Sequence, residues 1–436
     1  MIPHARGPAR PQPAPTDPRV SNPRVADPRL ADLARLREVS PMFDAVIDEI
    51  DGRRIRVGAD WLVDYASCNY LGLDLDAEVM AAIGDQVARW GTHPSWSRLL
   101  GQPSLYPRIE ERLTDLLGAP DTLLLPTITH IHFSVIPALA GEGTIFLDAR
   151  AHKTVYDGCV HARALGATVQ RFRTGDLEHL AGLLAAAPAR GPRLVCVDGV
   201  DSMTGNPPDV RGLAALCRRY GAVLYVDDAH GFGVLGERRP DERTPYGVRG
   251  NAVIRHAGES YDDVVLVGGF SKAYSSLLAF LALPTDLKNH LKIAAAPYLY
   301  SGPSPVASLA SALAGLEIND RRGEELRATL YRHTTTVLAR VRELGLATPN
   351  RSGTPIIELP LADGVDLTAV SRALWRRGVY VTLAAYPLVP RRDVGVRVML
   401  TAAHTDEQVA ELTDVLTDLA PAFRPAAAVR AAARSA

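Results

Sequence analysis

The chain has 436 residues with 48 basic and 49 acidic side chains, and its four cysteines form no CxxC pair. This length suits a large domain with a smaller second one. The balanced charge gives no reason to expect nucleic acid or an anionic membrane as a partner, and the cysteines do not have the spacing of zinc ligands. No apolar run approaches the roughly 20 residues that span a bilayer, so we expect a reduced, cytoplasmic protein.

The N-terminal stretch is rich in proline and arginine and repeats DPRV, NPRV and DPRL. Such a composition buries too little apolar surface to offset the entropy of ordering, so residues 1–38 are predicted to be disordered. Residues 39–88 are then expected to form an N-terminal arm. The Ala- and Arg-rich end, residues 424–436, is predicted to be a second disordered tail.

Residues 89–320 alternate short apolar runs with amphipathic helical patterns. Strands are predicted in TLLLPT, GTIFLD, TVQRFR, RLVCVDGV, AVLYVDDAH and DVVLVGG. Helices are predicted in SLYPRIEERLTDLLGA and VRGLAALCRRYGA, each closing on a glycine. This alternation is typical of a mostly parallel sheet covered on both faces. After residue 320 a long helix and short strands predict a separate α+β domain, residues 321–423.

Polar side chains follow three of the predicted strands. Ser202 comes after the strand in RLVCV, Asp227 and His230 after AVLYV, and Lys272 after VVLVGG. Ligands of parallel sheets bind beyond the carboxyl ends of the strands, so these groups meet if the strands are neighbours. A lysine in this place is either a solvated loop residue or, with a lowered pKa, a nucleophile that forms a Schiff base with a carbonyl cofactor.

Several motifs together resemble the α-oxoamine synthases, which are pyridoxal 5'-phosphate (PLP) enzymes, over about residues 40–420. The motifs are NYLGL (69–73), SRLLGQPSLYPRIEERLTDLLGA (97–119), LDARAHKTVYDGC (147–159), VDGVDSMTGNPPDV (197–210), VDDAHGFGVLGE (226–237), FSKA (270–273), YLYSGPSPVA (298–307) and RVMLTAAHTDEQV (397–409). The resemblance implies an α/β fold of the PLP-dependent transferase type I, like aspartate aminotransferase. Its large domain would hold a mostly parallel seven-stranded sheet, and its small C-terminal domain would be α+β.

The resemblance also implies roles for individual residues. Lys272 would carry PLP as a Schiff base, Asp227 would keep the pyridine nitrogen protonated, and His230 would bind the phenolic oxygen. His152 would stack on the ring, completing the predicted catalytic set. The other predicted cofactor contacts are Ser202, Thr127, Ile128, Thr129, Gly269, Ser271 and Ser301. Ser301 would reach the phosphate of a neighbouring subunit, which implies a homodimer with shared active sites.

The predicted substrate contacts are Asn69, Arg397, Thr382, His132 and His93. Asn69 and Arg397 match positions near the amino-acid carboxylate, where a guanidinium suits a planar anion. His132 either lines a solvated helix start or, together with His93, narrows the entrance and selects the acyl group.

The loop LPTITHIH departs from the family pattern. Ile128, Thr129 and His132 stand where the family has glycine, an aromatic residue and asparagine, and Gly269 stands where threonine is common. Because a β-branched residue disfavours a positive φ, we expect the backbone to differ locally at Ile128. The helix after the loop is expected to begin at about Thr129 and to aim its free N–H groups at the phosphate.

The leading interpretation is a decarboxylating acyltransferase. The amino acid would lose its Cα proton to Lys272 and attack an acyl thioester, carried by coenzyme A or by a carrier protein. Loss of carbon dioxide would then leave an α-aminoketone. The unusual loop keeps open another PLP reaction, such as that of an aldolase, a lyase or an aminotransferase. A non-catalytic partner subunit is a third interpretation, against which the joint presence of Lys272, Asp227, His230 and His152 argues.

Overall fold

The computed structural model describes residues 30–188 and 190–428. Its first part is the N-terminal arm, with the elements α1 (Ala31–Val39), β1 (Glu49–Asp51), β2 (Arg54–Val57), β3 (Asp60–Asp64) and α2 (Ala77–Trp90). The prediction of disorder up to residue 38 is wrong for the part that is described. The run ADLARLREV is helical because it consists largely of good helix formers and buries Leu36. Residues 1–29 lie outside the described residues.

Seven strands form the central sheet: β4 (Asp121–Leu125), β5 (Thr144–Asp148), β6 (Thr168–Phe172), β7 (Arg193–Asp198), β8 (Val223–Asp227), β9 (Val264–Gly269) and β10 (Ala279–Leu283). Their spatial order is β4-β10-β9-β8-β7-β5-β6. The edge-ward strand β10 runs antiparallel to both of its neighbours, and the other pairs are parallel. The predicted mostly parallel sheet is confirmed, and it places β7, β8 and β9 side by side.

The described helices between residues 105 and 299 are α3 (Leu105–Leu117), α4 (Ile128–Ala140), α5 (Lys153–Ala164), α6 (Leu177–Ala186), α7 (Val210–Tyr220), α8 (Ala252–His256), α9 (Thr285–Ala294) and α10 (Ala296–Leu299). Successive strand residues point to opposite faces, so Leu224 joins one core cluster while Tyr225 joins the other with Ile131 of α4. The predicted helix ends at Gly118 and Gly221 are confirmed, since both glycines adopt left-handed angles.

The C-terminal part consists of α11 (Val306–Glu343), β11 (Ile356–Pro360), α12 (Leu367–Arg376), β12 (Val379–Tyr380), β13 (Thr382–Ala384), β14 (Gly395–Met399) and α13 (Asp406–Asp418). Strands β11, β14 and β13 form an antiparallel sheet, while β12 joins the arm beside β3. Helix α11 runs unbroken through residue 320, so the expected domain boundary lies inside a helix. The predicted disordered tail is wrong for residues 424–428, where Pro425 pairs with Leu346 and the amide of Ala426 donates to the carbonyl of Gly345, and residues 429–436 lie outside the described residues. No helix in residues 30–188 and 190–428 has both the length and the apolar character needed to cross a membrane.

Candidate active site

Lys272 lies in the turn that joins β9 to β10, at the carboxyl end of β9. Backbone bonds from Ser275 N to Lys272 O (3.0 Å) and from Ser276 N to Phe270 O (2.9 Å) close this turn. The Lys272 side chain is partly buried. Burial lowers the pKa of its amine, although the negative charge of Asp227 opposes that shift. These surroundings favour the nucleophile over the solvated loop residue.

Asp227 is the last residue of β8, next to the end of β9. Its Oδ2 lies 2.9 Å from Nε2 of His132, and its Oδ1 accepts from the amide of Ala229 at 3.2 Å. Burial raises the pKa of Asp227, but the charge and hydrogen bond of His132, with the charge of Lys272, outweigh burial and lower that pKa to about 2. The carboxyl group is therefore ionised at neutral pH, as a partner of a protonated pyridine requires.

His132 is wrongly predicted as a substrate contact at the entrance. Its side chain is fully buried, with Nε2 on Asp227 and Nδ1 2.9 Å from the hydroxyl of Tyr225. It faces the sheet because positions 128, 131, 132 and 135 share one side of α4. His130, by contrast, is exposed and lies 3.0 Å from Thr127 Oγ1. Neither a solvated helix start nor acyl selection therefore describes His132.

His230 connects the site to the N-terminal arm. Its Nδ1 lies 2.7 Å from the hydroxyl of Tyr70, and both side chains are buried. Burial, assisted by the positive charge of Lys272, lowers the pKa of His230 well below its ordinary value. The imidazole is therefore neutral and has its Nε2 left for another partner. Asn69 directly precedes Tyr70 and is partly buried, so the arm brings this predicted substrate residue to the same region.

His152 sits at the N-cap of α5, beyond the end of β5. Its backbone amide donates to Asp198 Oδ1 at 3.0 Å, and its Nδ1 lies 2.8 Å from Thr154 Oγ1. Asp198 of β7 lies opposite Asp227 of β8 in the parallel register, so the bond to Asp198 brings His152 to the strand ends that hold the site. The residue is exposed, so its ring is accessible to a flat ligand, as the predicted stacking role needs.

Arg397, Thr382 and Ser202 line a cavity of about 530 Å³ together with His152. Thr382 of β13 lies opposite Arg397 of β14 in the antiparallel register. Arg397 donates from Nη1 to the backbone carbonyl of Ser202 at 2.7 Å. Its buried Nε has no partner among the described residues. A guanidinium with an unpaired N–H beside a cavity suits a carboxylate ligand.

Helix α4 begins at Ile128, one residue before the expected start. The hydroxyl of Thr127 accepts from the amide of His130, while the amides of Ile128 and Thr129 have no acceptor within the helix. Gly269 and Ser271 lie beside this helix end: a Cβ at Gly269 would come within 2.5 Å of Ile128 Cδ1 and 3.6 Å of Ser271 Oγ. Free amides at the positive end of a helix dipole form an anion site.

Ser301 and His93 lie in two segments, residues 299–302 and 93–97, that contact each other. His93 Nε2 is 3.0 Å from the position that a Cβ would take at Gly302, the neighbour of Ser301. The hydroxyl of Ser97 donates to the carbonyl of Leu299 at 2.7 Å, which ties the two segments together. Within the described part of the chain, no hydrogen bond joins Ser301 or His93 to Lys272, Asp227 or His230.

Two tyrosines of the site are absent from the sequence-based prediction. Tyr225 precedes Asp227 by two positions, so both side chains point to the same face of β8. That spacing is a signal from which a polar contact could be predicted. Tyr70 lies in the recognised motif NYLGL, but no local pattern indicates that its hydroxyl reaches a histidine 160 positions away.

The residues brought together fit the chemistry of PLP. The amine of Lys272 suits the aldehyde carbon, the carboxylate of Asp227 suits the ring nitrogen, and the imidazole of His230 suits the phenolic oxygen. The free amides at the start of α4 suit the phosphate.

The comparison with known families decides the assignment, because the model "Aminotransferase class I and II" matches residues 65–416. The chain belongs to this family. The 8-amino-7-oxononanoate synthase of Chromohalobacter salexigens is 36% identical over 356 residues, which cover 81% of this chain and 88% of the relative. That of Pseudomonas putida strain KT2440 is 35% identical over 401 residues, covering 89% and 94%.

Solved structures show the same fold. Serine palmitoyltransferase of Sphingomonas wittichii has a TM-score of 0.80 at 25% identity, covering 90% of this chain and 96% of that one. The enzyme from S. paucimobilis, solved with a bound PLP–myriocin aldimine, has a TM-score of 0.80 at 23% identity, covering 90% and 97%. The expected fold type I is confirmed. This member of the aminotransferase class I and II family is a PLP-dependent transferase of the α-oxoamine synthase type.

Proposed function

We propose that the protein condenses an amino acid with an acyl thioester and releases carbon dioxide and the free thiol, leaving an α-aminoketone. The observation that carries this proposal is the meeting of Lys272, Asp227 and His230 at the ends of neighbouring strands, with Arg397 beside the adjoining cavity. The relatives named 8-amino-7-oxononanoate synthase support the same reaction type. Bound PLP supplies an electron-withdrawing ring that stabilises negative charge at the amino-acid Cα.

The protein's own groups bind and orient the amino acid and move its proton. The lowered pKa of Lys272 lets its Nζ act as a base that takes the Cα proton. Asp227 holds a proton at the ring nitrogen through its ionised carboxylate. Arg397, whose Nε has no partner within residues 30–188 and 190–428, and Thr382 would hold the carboxylate that later leaves as carbon dioxide.

The working unit in this proposal is a homodimer in which each site is completed by the other chain. Among the described residues, Ser301 and His93 form no hydrogen bond with Lys272, Asp227 or His230, which fits residues lent to a partner's site. Large apolar side chains near them are exposed, among them Leu100 at 82% and Tyr300 at 83%. We call the set Trp96, Leu99, Leu100, Ile293 and Tyr300 the exposed apolar face. Burying such a face against a second copy would stabilise the dimer.

The test is release of carbon dioxide from carboxyl-labelled amino acids, with and without acyl thioesters on coenzyme A or on a carrier protein. The proposal predicts thioester-dependent release from at least one amino acid, and none from the Lys272→Ala protein. Turnover that needs no thioester, such as aldol cleavage or transfer of the amino group to a keto acid, would overturn it. The two donor forms distinguish coenzyme A from a carrier protein.

A further inference from the structure

A chain of three buried polar side chains runs from the core to the site. The hydroxyl of Tyr225 is 2.9 Å from Nδ1 of His132, and Nε2 of His132 is 2.9 Å from Oδ2 of Asp227. Tyr225 and His132 are fully buried, and Asp227 is 5% exposed. Packing alone does not explain a buried tyrosine and a buried histidine at these positions, since burying polar groups costs free energy unless they are paired.

The geometry fixes the direction of the hydrogen bonds. An ionised carboxylate can only accept, so Nε2 of His132 carries a hydrogen and donates it to Asp227. Burial raises the pKa of Tyr225 well above its ordinary value, so that hydroxyl keeps its proton. It donates to Nδ1 when the imidazole is neutral and accepts from Nδ1 when the imidazole is charged. In both cases every nitrogen of the ring is satisfied and Asp227 remains an anion.

We propose that His132 is a positioning residue, which acts through Asp227 to keep the ring nitrogen of PLP protonated. This inference rests on the PLP chemistry of the proposed function. His132, on α4, donates from Nε2 to Oδ2 of Asp227, and the amide of Ala229 donates to Oδ1 of Asp227 at 3.2 Å. The carboxylate is thereby fixed in one orientation, with lone pairs left for the cofactor. Tyr225 in turn fixes the imidazole, as outer hydrogen bonds commonly fix a functional side chain.

The low pKa of Asp227 supports the same role. Burial without compensation would favour the neutral acid, which cannot stabilise a charged ring nitrogen. His132 makes the strongest contribution against burial, ahead of Lys272 and His152. The amine of Lys272 would be bonded to the cofactor, whereas the contact of His132 with Asp227 needs no cofactor.

The test compares His132→Leu, His132→Gln and Tyr225→Phe with the unchanged protein, each loaded with PLP labelled with ¹⁵N in the ring. The ring-nitrogen resonance reports protonation, and solvent exchange of the substrate Cα proton reports function. We expect His132→Leu to move the resonance toward its unprotonated value and to slow the exchange by roughly 10-fold or more. His132→Gln keeps a donor for Asp227 and should restore part of both. Tyr225→Phe removes only the outer hydroxyl and should have an intermediate effect.

The matched control is His333→Gln. His333 is also a buried histidine, 2% exposed, and its Nε2 lies 3.2 Å from Oδ1 of Asp406. This variant should lose thermal stability without any change in the ring-nitrogen resonance. If the His132 and Tyr225 variants behave in the same way, His132 is structural and the inference is overturned. If the unchanged protein exchanges the Cα proton but releases no carbon dioxide with any thioester, the proposed reaction fails while the role of His132 is still decided by the variants.

Discussion

Ile128 and Gly269 are neighbours in space at the start of α4, and the large side chain lies at one position and the small one at the other. Ile128 stands where the α-oxoamine synthases that this chain resembles have glycine, and Gly269 stands where they commonly have threonine. A Cβ at Gly269 would lie 2.5 Å from Ile128 Cδ1, closer than real side chains approach. The volume lost at one position is therefore filled from the other. The two departures from the family pattern are one change in packing, and they leave the free amides of α4 in place.

This exchange predicts a strong coupling between the two positions. Gly269→Thr alone should destabilise the PLP-free protein by about 1–3 kcal/mol, because its side chain clashes with Ile128. Ile128→Gly should also destabilise, since it removes buried surface and loosens the start of α4. The double variant should be more stable than the sum of the single effects by about 1 kcal/mol or more, measured by urea unfolding. Additive effects would show that the two side chains do not compete for the same space.

Two adjacent carboxyl groups at the end of β8, those of Asp227 and Asp228, are predicted to differ in their effect on the reaction. Asp227→Asn should still bind PLP but lose solvent exchange of the substrate Cα proton, because an uncharged amide does not keep the ring nitrogen protonated. Asp228 is the matched control: burial raises the pKa of Asp228 to about 8, so it is largely neutral at pH 7 and asparagine resembles it. Asp228→Asn should keep the exchange. Equal loss in both variants would mean that the charge of Asp227 is not what matters.

Glu358 is a further buried acid, and it lies on β11 of the C-terminal sheet. Glu358 of β11 lies opposite Arg397 of β14, and its Oε1 has no partner among the described residues. Burial, with the negative charge of Asp393, raises the pKa of Glu358 to about 7. The folded chain therefore holds this proton up to a higher pH than the unfolded chain, whose glutamates titrate near 4.3.

The raised pKa of Glu358 makes the free energy of unfolding fall as the pH rises. The stability contributed by protonated Glu358 is complete below about pH 4 and is lost as the pH rises through 7. Glu358→Gln should remove this part of the decline, which is on the order of 3 kcal/mol for the free energy of unfolding between pH 5 and pH 8. Urea unfolding of the PLP-free protein measures it, with the exposed Glu407→Gln as control. An unchanged decline in Glu358→Gln would contradict the assignment.

Among the secondary-structure elements, much of the fold could be predicted, because five of the six predicted strands contain a continuous apolar run ended by polar or small residues. The sixth, TVQRFR, is mostly polar and lies at the edge of the sheet. Strand β10 escapes prediction because its run, LLAFLAL, follows the Lys272 turn directly, and an apolar run alone does not distinguish strand from helix. The place of His132 could not be predicted for a different reason. Its contact with Asp227 depends on which side of α4 faces β8, and the run ITHIHFSV is apolar or aromatic at too many positions to reveal that side.

In the whole molecule, the exposed apolar face includes Tyr300, which directly precedes Ser301 in the chain. A homodimer that shares its sites predicts complementation between damaged chains. Ser301→Asp places a negative charge where the partner's phosphate would bind, and Lys272→Ala removes the amine, so each homodimer should be inactive. Refolded mixtures should regain activity, because each mixed dimer contains one site with both Lys272 and Ser301 intact.

The control is Ser352→Asp, at an exposed position elsewhere in the chain, and this variant should stay active alone. Mixtures without activity, or an active Ser301→Asp dimer, would contradict the shared site.

Reduction of the PLP-loaded protein with borohydride, followed by peptide mass spectrometry, tests most directly whether Lys272 holds the cofactor. We expect one modified peptide, carrying the cofactor on Lys272, and no modified peptide from a folded Lys272→Ala protein. Modification of another lysine, such as the exposed Lys153, or persistence of the adduct in Lys272→Ala would show that the amine after β9 does not hold the cofactor.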